Sequence, residues 1–196
     1  MKNPSKIIQP SAKSQANREL ESLVEALRSG RGEVLEEIIS KTERTSYALA
    51  ISILKDPDLA KDALQDSYFI AYQRIGQLRE NAAFKAWLYK IVTRSCHDIL
   101  KKRSREIQTD LQDRDDLVTP ETSSNPSTSV TDQAALKATF SKLPDIDRQT
   151  IALREICHLS YEEMSKVLAI PIGTVRSRLA KARKRFIKAY RREEQS

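Results

Sequence analysis

Between residues 176 and 185 the chain carries six cations, Arg176, Arg178, Lys181, Arg183, Lys184 and Arg185, and no acid. Guanidinium and ammonium groups at that density neutralise phosphates, and arginine can also make paired hydrogen bonds to a guanine edge. Val175, Leu179, Ala182 and Phe186 recur among them at steps of four, three and four, the spacing of one helical face. The cations therefore occupy the remaining surface of an amphipathic helix. Just upstream, Ser160 and Glu163 stand in capping-box register, with Leu159 and Met164 placed as a hydrophobic staple. Val167 and Leu168 continue that helix's apolar face. Ile170-Pro171 ends it, because proline disfavours α geometry in the residue before it. Two short helices, a tight turn and a cationic second helix read as a helix-turn-helix, which places its second helix in the major groove of duplex DNA.

Other candidate chemistry is sparse. Cys96-His97 and Cys157-His158 are two Cys-His dipeptides without the spacing of a structural zinc site, so no metal is expected. Nothing in the chain reads as a nucleophile with an oriented base, a phosphate-binding glycine loop or a paired-carboxylate site. No cofactor is expected, and the chain reads as a non-enzyme.

Helical periodicity supplies the elements that must position these residues. Leu20, Leu23, Val24 and Leu27 share one face, and Ser29-Gly30 closes that segment. Val34, Leu35, Ile38 and Ile39 open a second stripe that continues through Tyr47, Ile51 and Leu54. Asp56-Pro57 offers an N-cap acceptor followed by proline at the first helical position, starting a helix that runs to about Arg74. On that helix Asp58, Asp62, Gln65 and Asp66 share a face, which by periodicity alone is an exposed polar stripe. A connector over residues 75–81 leads to the most regular amphipathic segment, where Phe84, Trp87, Leu88, Ile91, Val92 and Ile99 form one wide apolar face. Phe84 and Trp87 sit on that stripe, which favours core over base stacking. Farther on, Thr131-Asp132 caps a helix bearing Leu136, Phe140 and Leu143; Pro144 breaks it, and Ile146, Thr150 and Leu153 line another.

No repeat and no strand-like alternation interrupts this pattern. The expected fold is all-α: two small helical domains, 19–105 and 131–192, joined by a flexible acidic linker, 106–130, and preceded by a basic mobile arm, 1–18. With 39% hydrophobic residues the 196-residue chain can bury real cores, while 31% charged residues and only four glycines favour small helical units.

The net charge of +7 favours a polyanionic partner, and its distribution says more. Residues 85–105 hold seven cations against Asp98, residues 171–192 hold nine cations and no acid, and residues 106–135 hold seven acids against Arg114. One charge run is ordinarily a solvated face; two on amphipathic helices point to nucleic acid. No run of eighteen apolar residues suggests a membrane span, and the N-terminus lacks the apolar stretch of a secretory signal. Two cysteines imply no disulfide framework, which suits a cytoplasmic location.

Two blocks carry a family resemblance. DPDLAKDALQDSYFIAYQRI followed by FKAWLYKIVTR resembles region 2 of bacterial RNA polymerase sigma factors, and LPDIDRQTIALREICHLSYEEMSKVLAIPIGTVRSRLAKARKRF resembles region 4. With only these two regions and a short linker, the chain is similar to the extracytoplasmic-function group of the sigma-70 family. The resemblance spans residues 19–190 and implies a promoter-specificity subunit, active in a stress response. Region 2 would grip the clamp of core RNA polymerase and open the minus-ten element; region 4 would dock on the flap and read the minus-thirty-five element.

The resemblance also implies residue roles. Asp58, Asp62, Gln65 and Asp66 become the polymerase-binding face, since the family packs this pattern against a basic coiled coil of the clamp. Leu78, Arg79, Glu80 and Asn81 of the connector, with Lys90, Arg94 and Asp98, become the minus-ten contacts to single-stranded DNA. Arg176, Ser177, Ala180 and Lys181 take the groove-facing positions of the minus-thirty-five helix, while Arg178, Arg183 and Lys184 are placed on phosphates, which set register without reading sequence. Departures from the common pattern are Leu78-Arg79-Glu80 for the usual Phe-Arg-Gly, Arg94 where asparagine is frequent, and Lys181 where arginine is common. The acidic linker would thread the polymerase's nucleic-acid channels, and an anti-sigma factor is the implied regulator. The principal alternative is an autonomous helix-turn-helix regulator that binds operators without polymerase; a polymerase-sequestering interaction protein is a third class.

Overall fold

A few local signals set the helix boundaries of this chain. The computed structural model describes residues 12–112 and 132–193, and every regular element among them is helical. Helix α1 spans Ala12–Arg28 and is closed by Gly30, whose φ of 92° lets the amides of Gly30 and Arg31 reach back to Leu27 and Ala26. Helix α2, Leu35–Leu54, stops at Lys55, which takes the left-handed conformation with φ 58°. Asp56 then caps α3, Pro57–Arg74, by accepting from the backbone N–H groups of Asp58 and Leu59, with Pro57 at the first position as the sequence predicts. Short 3₁₀ turns at Ile75–Gln77 and Asn81–Ala83 form the connector to α4, Phe84–Gln112.

Two expected boundaries move. Residues 12–18, assigned by sequence to a mobile arm, are helical, because Ala12, Gln15, Ala16, Arg18 and their neighbours are good helix formers. Helix α4 runs through residues 106–112 of the expected linker for the same reason; Glu106, Gln108, Leu111 and Gln112 sustain it. The rest of that arm and linker, residues 1–11 and 113–131, lies outside the described residues.

Helices α2, α3 and α4 pack as a three-helix bundle with α1 laid against α2. Its centre is Ile38, Leu49, Leu88 and Val92, all fully buried, with Phe84 beside them. Thr42 donates to the Ile38 carbonyl at 2.7 Å and shares a 2.9 Å hydrogen bond with the Tyr68 hydroxyl, which is thereby left to act as donor.

In the second half, α5 (Asp132–Ser141) and α6 (Asp145–Ile151) precede a π turn over Ala152–Ile156, where the Cys157 amide bonds the Ala152 carbonyl. Helix α7, Tyr161–Leu168, and helix α8, Ile172–Glu193, follow. Leu153, Met164, Val175, Leu179 and Ala182 fill the space between these helices.

Leu136 and Ile146, expected in this core, are 40% and 45% exposed. Helix α6 buries its polar side instead: Asp147, Arg148, Gln149 and Thr150 are each no more than 5% exposed. The reason is Arg148. Its guanidinium donates to the carbonyls of Leu143 and Ser52 and to the Asp145 carboxylate, so it is satisfied only with α2 of the first half against it. The apolar cores of the two halves are continuous across this contact, with α7 packed on α4.

Candidate functional site

Three surfaces collect the residues singled out by sequence. On α3, alternate packing of Ala60, Ala63, Leu64, Ser67 and Tyr68 into the bundle leaves Asp58, Asp62, Gln65 and Asp66 exposed on one side. Their carboxylates stay largely free of internal partners; the 3.5 Å pair between Asp58 and Lys61 is fully at the surface and contributes little. Phe69, 62% exposed, and Tyr72, 46% exposed, continue the same face. Sequence reasoning missed these two aromatics, although Gln65, Phe69 and Tyr72 follow at helical steps of four and three.

The connector and the start of α4 form the second surface. Arg79, Glu80, Trp87 and Lys90 line one cleft of about 550 Å³, whose opposite wall is Lys166 and Val167 of α7. Phe84 is core at 2% exposure, as its place on the stripe predicts. Trp87 is half-buried, tilted against Phe84 with ring centroids 6.1 Å apart and its other side on the cleft.

Leu78, an expected DNA contact, also lines this cleft but is only 4% exposed, because the extended backbone after the 3₁₀ turn packs its side chain against the bundle. Asn81 is engaged by α1, accepting from Arg28 at 2.8 Å and donating to Glu25 at 2.6 Å. Arg94 and Asp98 are exposed one turn apart and pair loosely at 3.8 Å.

The helix-turn-helix makes the third surface. Ser160 accepts from the Glu163 amide, and Glu163 accepts from the Ser160 amide at 2.7 Å, so the capping box is complete. Ala169, left-handed at φ 53°, ends α7 and turns the chain into α8. With Val175, Leu179 and Ala182 buried, Arg176, Ser177, Ala180, Lys181 and Lys184 are left together on the outer face. Tyr161 lies under two guanidinium groups, Arg154 at 4.9 Å and Arg176 at 5.6 Å from its ring centroid, which steadies Arg176 at the N-terminal end of that face.

Two assigned phosphate contacts have surroundings of their own. Arg183 is ion-paired with Glu155, a hydrogen bond that raises its already high pKa. Arg178 is half-buried and lines a second cleft between α8 and α4. Arg185 likewise turns inward to Asp147, at 2.7 Å. These pairings depend on the acids of α6 and the π turn, which are remote in sequence from α8.

The two cysteines are buried, and burial pushes both thiols up to about 12, so neither is a ready nucleophile or metal ligand. Among the described residues no group of three His, Cys, Asp or Glu side chains could hold a metal ion, and no helix is long and apolar enough to cross a membrane.

Comparison with known proteins agrees with this geometry. The family described as "Sigma-70 region 2" matches residues 38–106, and "Sigma-70, region 4" matches residues 133–186. The chain is 29% identical over 183 residues to the RNA polymerase sigma-H factor of Pseudomonas aeruginosa, covering 86% of this chain and 92% of that one. It is 29% identical over 175 residues to the ECF RNA polymerase sigma-E factor of Haemophilus influenzae, covering 83% and 90%. The fold is similar to the sigma factor RpoE in complex with the anti-sigma factor NepR from Bartonella quintana, with TM-score 0.61, 25% identity and coverage of 90% and 97%. It also resembles CnrH in complex with the cytosolic domain of CnrY, with TM-score 0.62, 20% identity and coverage of 86% and 95%. With region 2 and region 4 matched in order along its length, the chain belongs to the sigma-70 family, in its extracytoplasmic-function group.

Proposed function

We infer that this chain joins core RNA polymerase and directs it to promoters, reading duplex DNA with α8 and supporting strand opening with the α4 surface. The observation that carries this reading is the separation of charge by element. One helix face, on α3, presents Asp62 and Asp66 to solvent, with Asp58 paired only to Lys61 at the surface, while α4 and α8 carry dense sets of exposed cations. A carboxylate face suits a basic partner, where charge complementarity gives orientation and association rate.

On α8, Arg176 and Lys181 are assigned to base edges or phosphates of the minus-thirty-five element, Ala180 to a thymine methyl and Lys184 to the backbone. On α4, Trp87 and Lys90 provide a ring and a cation for an unstacked strand. Helix α7 supplies the opposite wall of the cleft that holds them, through Lys166 and Val167, so a strand lying there would run between the two halves. An anti-sigma partner is the expected inhibitor, since RpoE and CnrH are each found in complex with a partner of that kind or a cytosolic domain. The reaction chemistry belongs to the polymerase.

Run-off transcription with purified core polymerase tests this reading. Defined transcripts that appear only when the chain is added support it. Tight, specific promoter binding by the chain alone, with no stimulation of core polymerase, would instead identify an autonomous regulator.

A further inference from the structure

We propose that Tyr161 is a positioning residue for promoter reading: its ring aims the Arg176 guanidinium at a base edge, and Arg154 braces the ring. In a helix-turn-helix the N-terminal residues of the second helix meet the base edges. Arg176 stands in the first turns of α8 and is exposed. Among the described residues it forms no ion pair; the Tyr161 ring, 5.6 Å from its guanidinium carbon, is what it touches. A free arginine samples many rotamers, and ordering it on the template subtracts from the energy of the contact. A guanidinium already laid against an aromatic ring has less freedom to lose.

Tyr161 is itself held in place. It is the first residue of α7, directly after Ser160, whose capping box with Glu163 fixes the backbone there. Its side chain is partly buried and packed on the core. Arg154 lies 4.9 Å from the ring centroid and donates to the Leu159 carbonyl at 2.6 Å, so the brace is tied to the backbone just before the ring. An irregular turn makes that tie possible. The π geometry of Ala152–Ile156 and the left-handed His158, φ 56°, bring the Leu159 amide within 3.1 Å of the Leu153 carbonyl, next to Arg154. Such π turns are rare and often mark functional sites.

Arg183, farther along α8, also interacts with Tyr161, but Glu155 holds its charge. Of three guanidiniums around one ring, two are thus anchored to protein acceptors, and Arg176 is left to reach outward. The inference rests on the proposed function, in which α8 reads the minus-thirty-five element.

Two measurements test it. Nuclear magnetic relaxation of the arginine Nε–H groups in the free chain needs no template. Arg176 should be ordered in the unaltered chain and in Tyr161→Phe, and freely mobile in Tyr161→Leu. Base preference is then read by selection with the reconstituted holoenzyme from promoter fragments randomised over the minus-thirty-five element. Arg176→Ala should abolish the preference at one base position. Tyr161→Leu, shown to be folded by circular dichroism, should lower the preference at that same position about two- to fivefold, as expected for one cation–π contact. Tyr161→Phe should retain it. Adding Tyr161→Leu to Arg176→Ala should lower it no further, because the two residues act as one unit. A merely structural tyrosine would weaken binding to every sequence alike, and its effect would add to that of Arg176→Ala. That result, a mobile Arg176 in the unaltered chain, or full preference in folded Tyr161→Leu overturns the inference and leaves the proposed function standing. An Arg176→Ala holoenzyme with every base preference intact overturns the inference together with the reading role of α8.

Discussion

The Nε of Arg148 donates to the backbone carbonyl of Ser52 at 2.8 Å, across the junction of the two halves and with the arginine side chain almost wholly out of water. The same guanidinium serves the Leu143 carbonyl and Asp145, so one planar group ties the end of α2 to the entry of α6.

Replacing Arg148 by leucine leaves the Ser52 and Leu143 carbonyls buried without donors. Unfolding in urea should show a loss of about 2–4 kcal/mol, at roughly 1–3 kcal/mol per unpaired buried group. Small-angle scattering should show the halves drawing apart. Arg148→Lys keeps the charge but not the fork and should fall between the two.

The cations of α8 divide by partner. Arg176→Ala should cost about 1–3 kcal/mol of promoter binding by the holoenzyme, with the loss depending on the base sequence. Lys184→Gln should weaken binding uniformly and lower the slope of log affinity against log salt by about 1. Arg183→Gln should leave that slope unchanged, because Glu155 already holds its charge. A reduced slope in Arg183→Gln would return this residue to the phosphate contacts.

On α3, charge and apolar surface should separate kinetically. Asp62→Ala with Asp66→Ala should slow association with core polymerase, and the difference from the unaltered chain should shrink at high salt. Phe69→Ser should mainly hasten dissociation, as loss of a buried aromatic contact does. Stopped-flow mixing with labelled core polymerase measures both; an unaltered off-rate in Phe69→Ser would remove that side chain from the interface.

The buried thiols give the fold a defined alkaline limit. Their ordinary value is 9.0, and burial raises both to about 12 in the folded chain. Above pH 9 the unfolded chain loses these protons while the folded one keeps them, so the stabilisation is complete below pH 9 and declines as pH rises towards 12. The decline is at most about 1.4 kcal/mol per pH unit for each thiol. Burial raises the Tyr89 hydroxyl in the same sense. Urea midpoints between pH 8 and 11 should fall, and a Cys96→Ala, Cys157→Ala chain should fall less steeply.

Legibility in the sequence followed the range of the interaction. Ser160, Glu163 and Pro171 bound the helix-turn-helix by contacts a few residues long, and Asp56-Pro57 fixed the start of α3 in the same way. The carboxylate face of α3 and the outer face of α8 were readable because helical phase alone sets them. Burial of Arg148, Gln149 and Thr150 was not, since these residues look solvated until α2 is packed against α6. The inward turn of Leu78 depends on backbone angles after a 3₁₀ turn, and the capture of Arg183 depends on Glu155, 28 residues earlier. Leu136 and Ile146 misled for the converse reason: their helices are short, and polar anchoring rather than apolar periodicity decides which side faces in.

The cleft that holds Trp87 and Lys90 takes its opposite wall from Lys166 and Val167 of α7, whereas Asp62 and Asp66 stand open to water on α3 alone. One surface is thus shared between the two halves and the other belongs to a single helix. A shift of α7 against α4 would reshape the first and leave the second as it is, so the two can be governed separately.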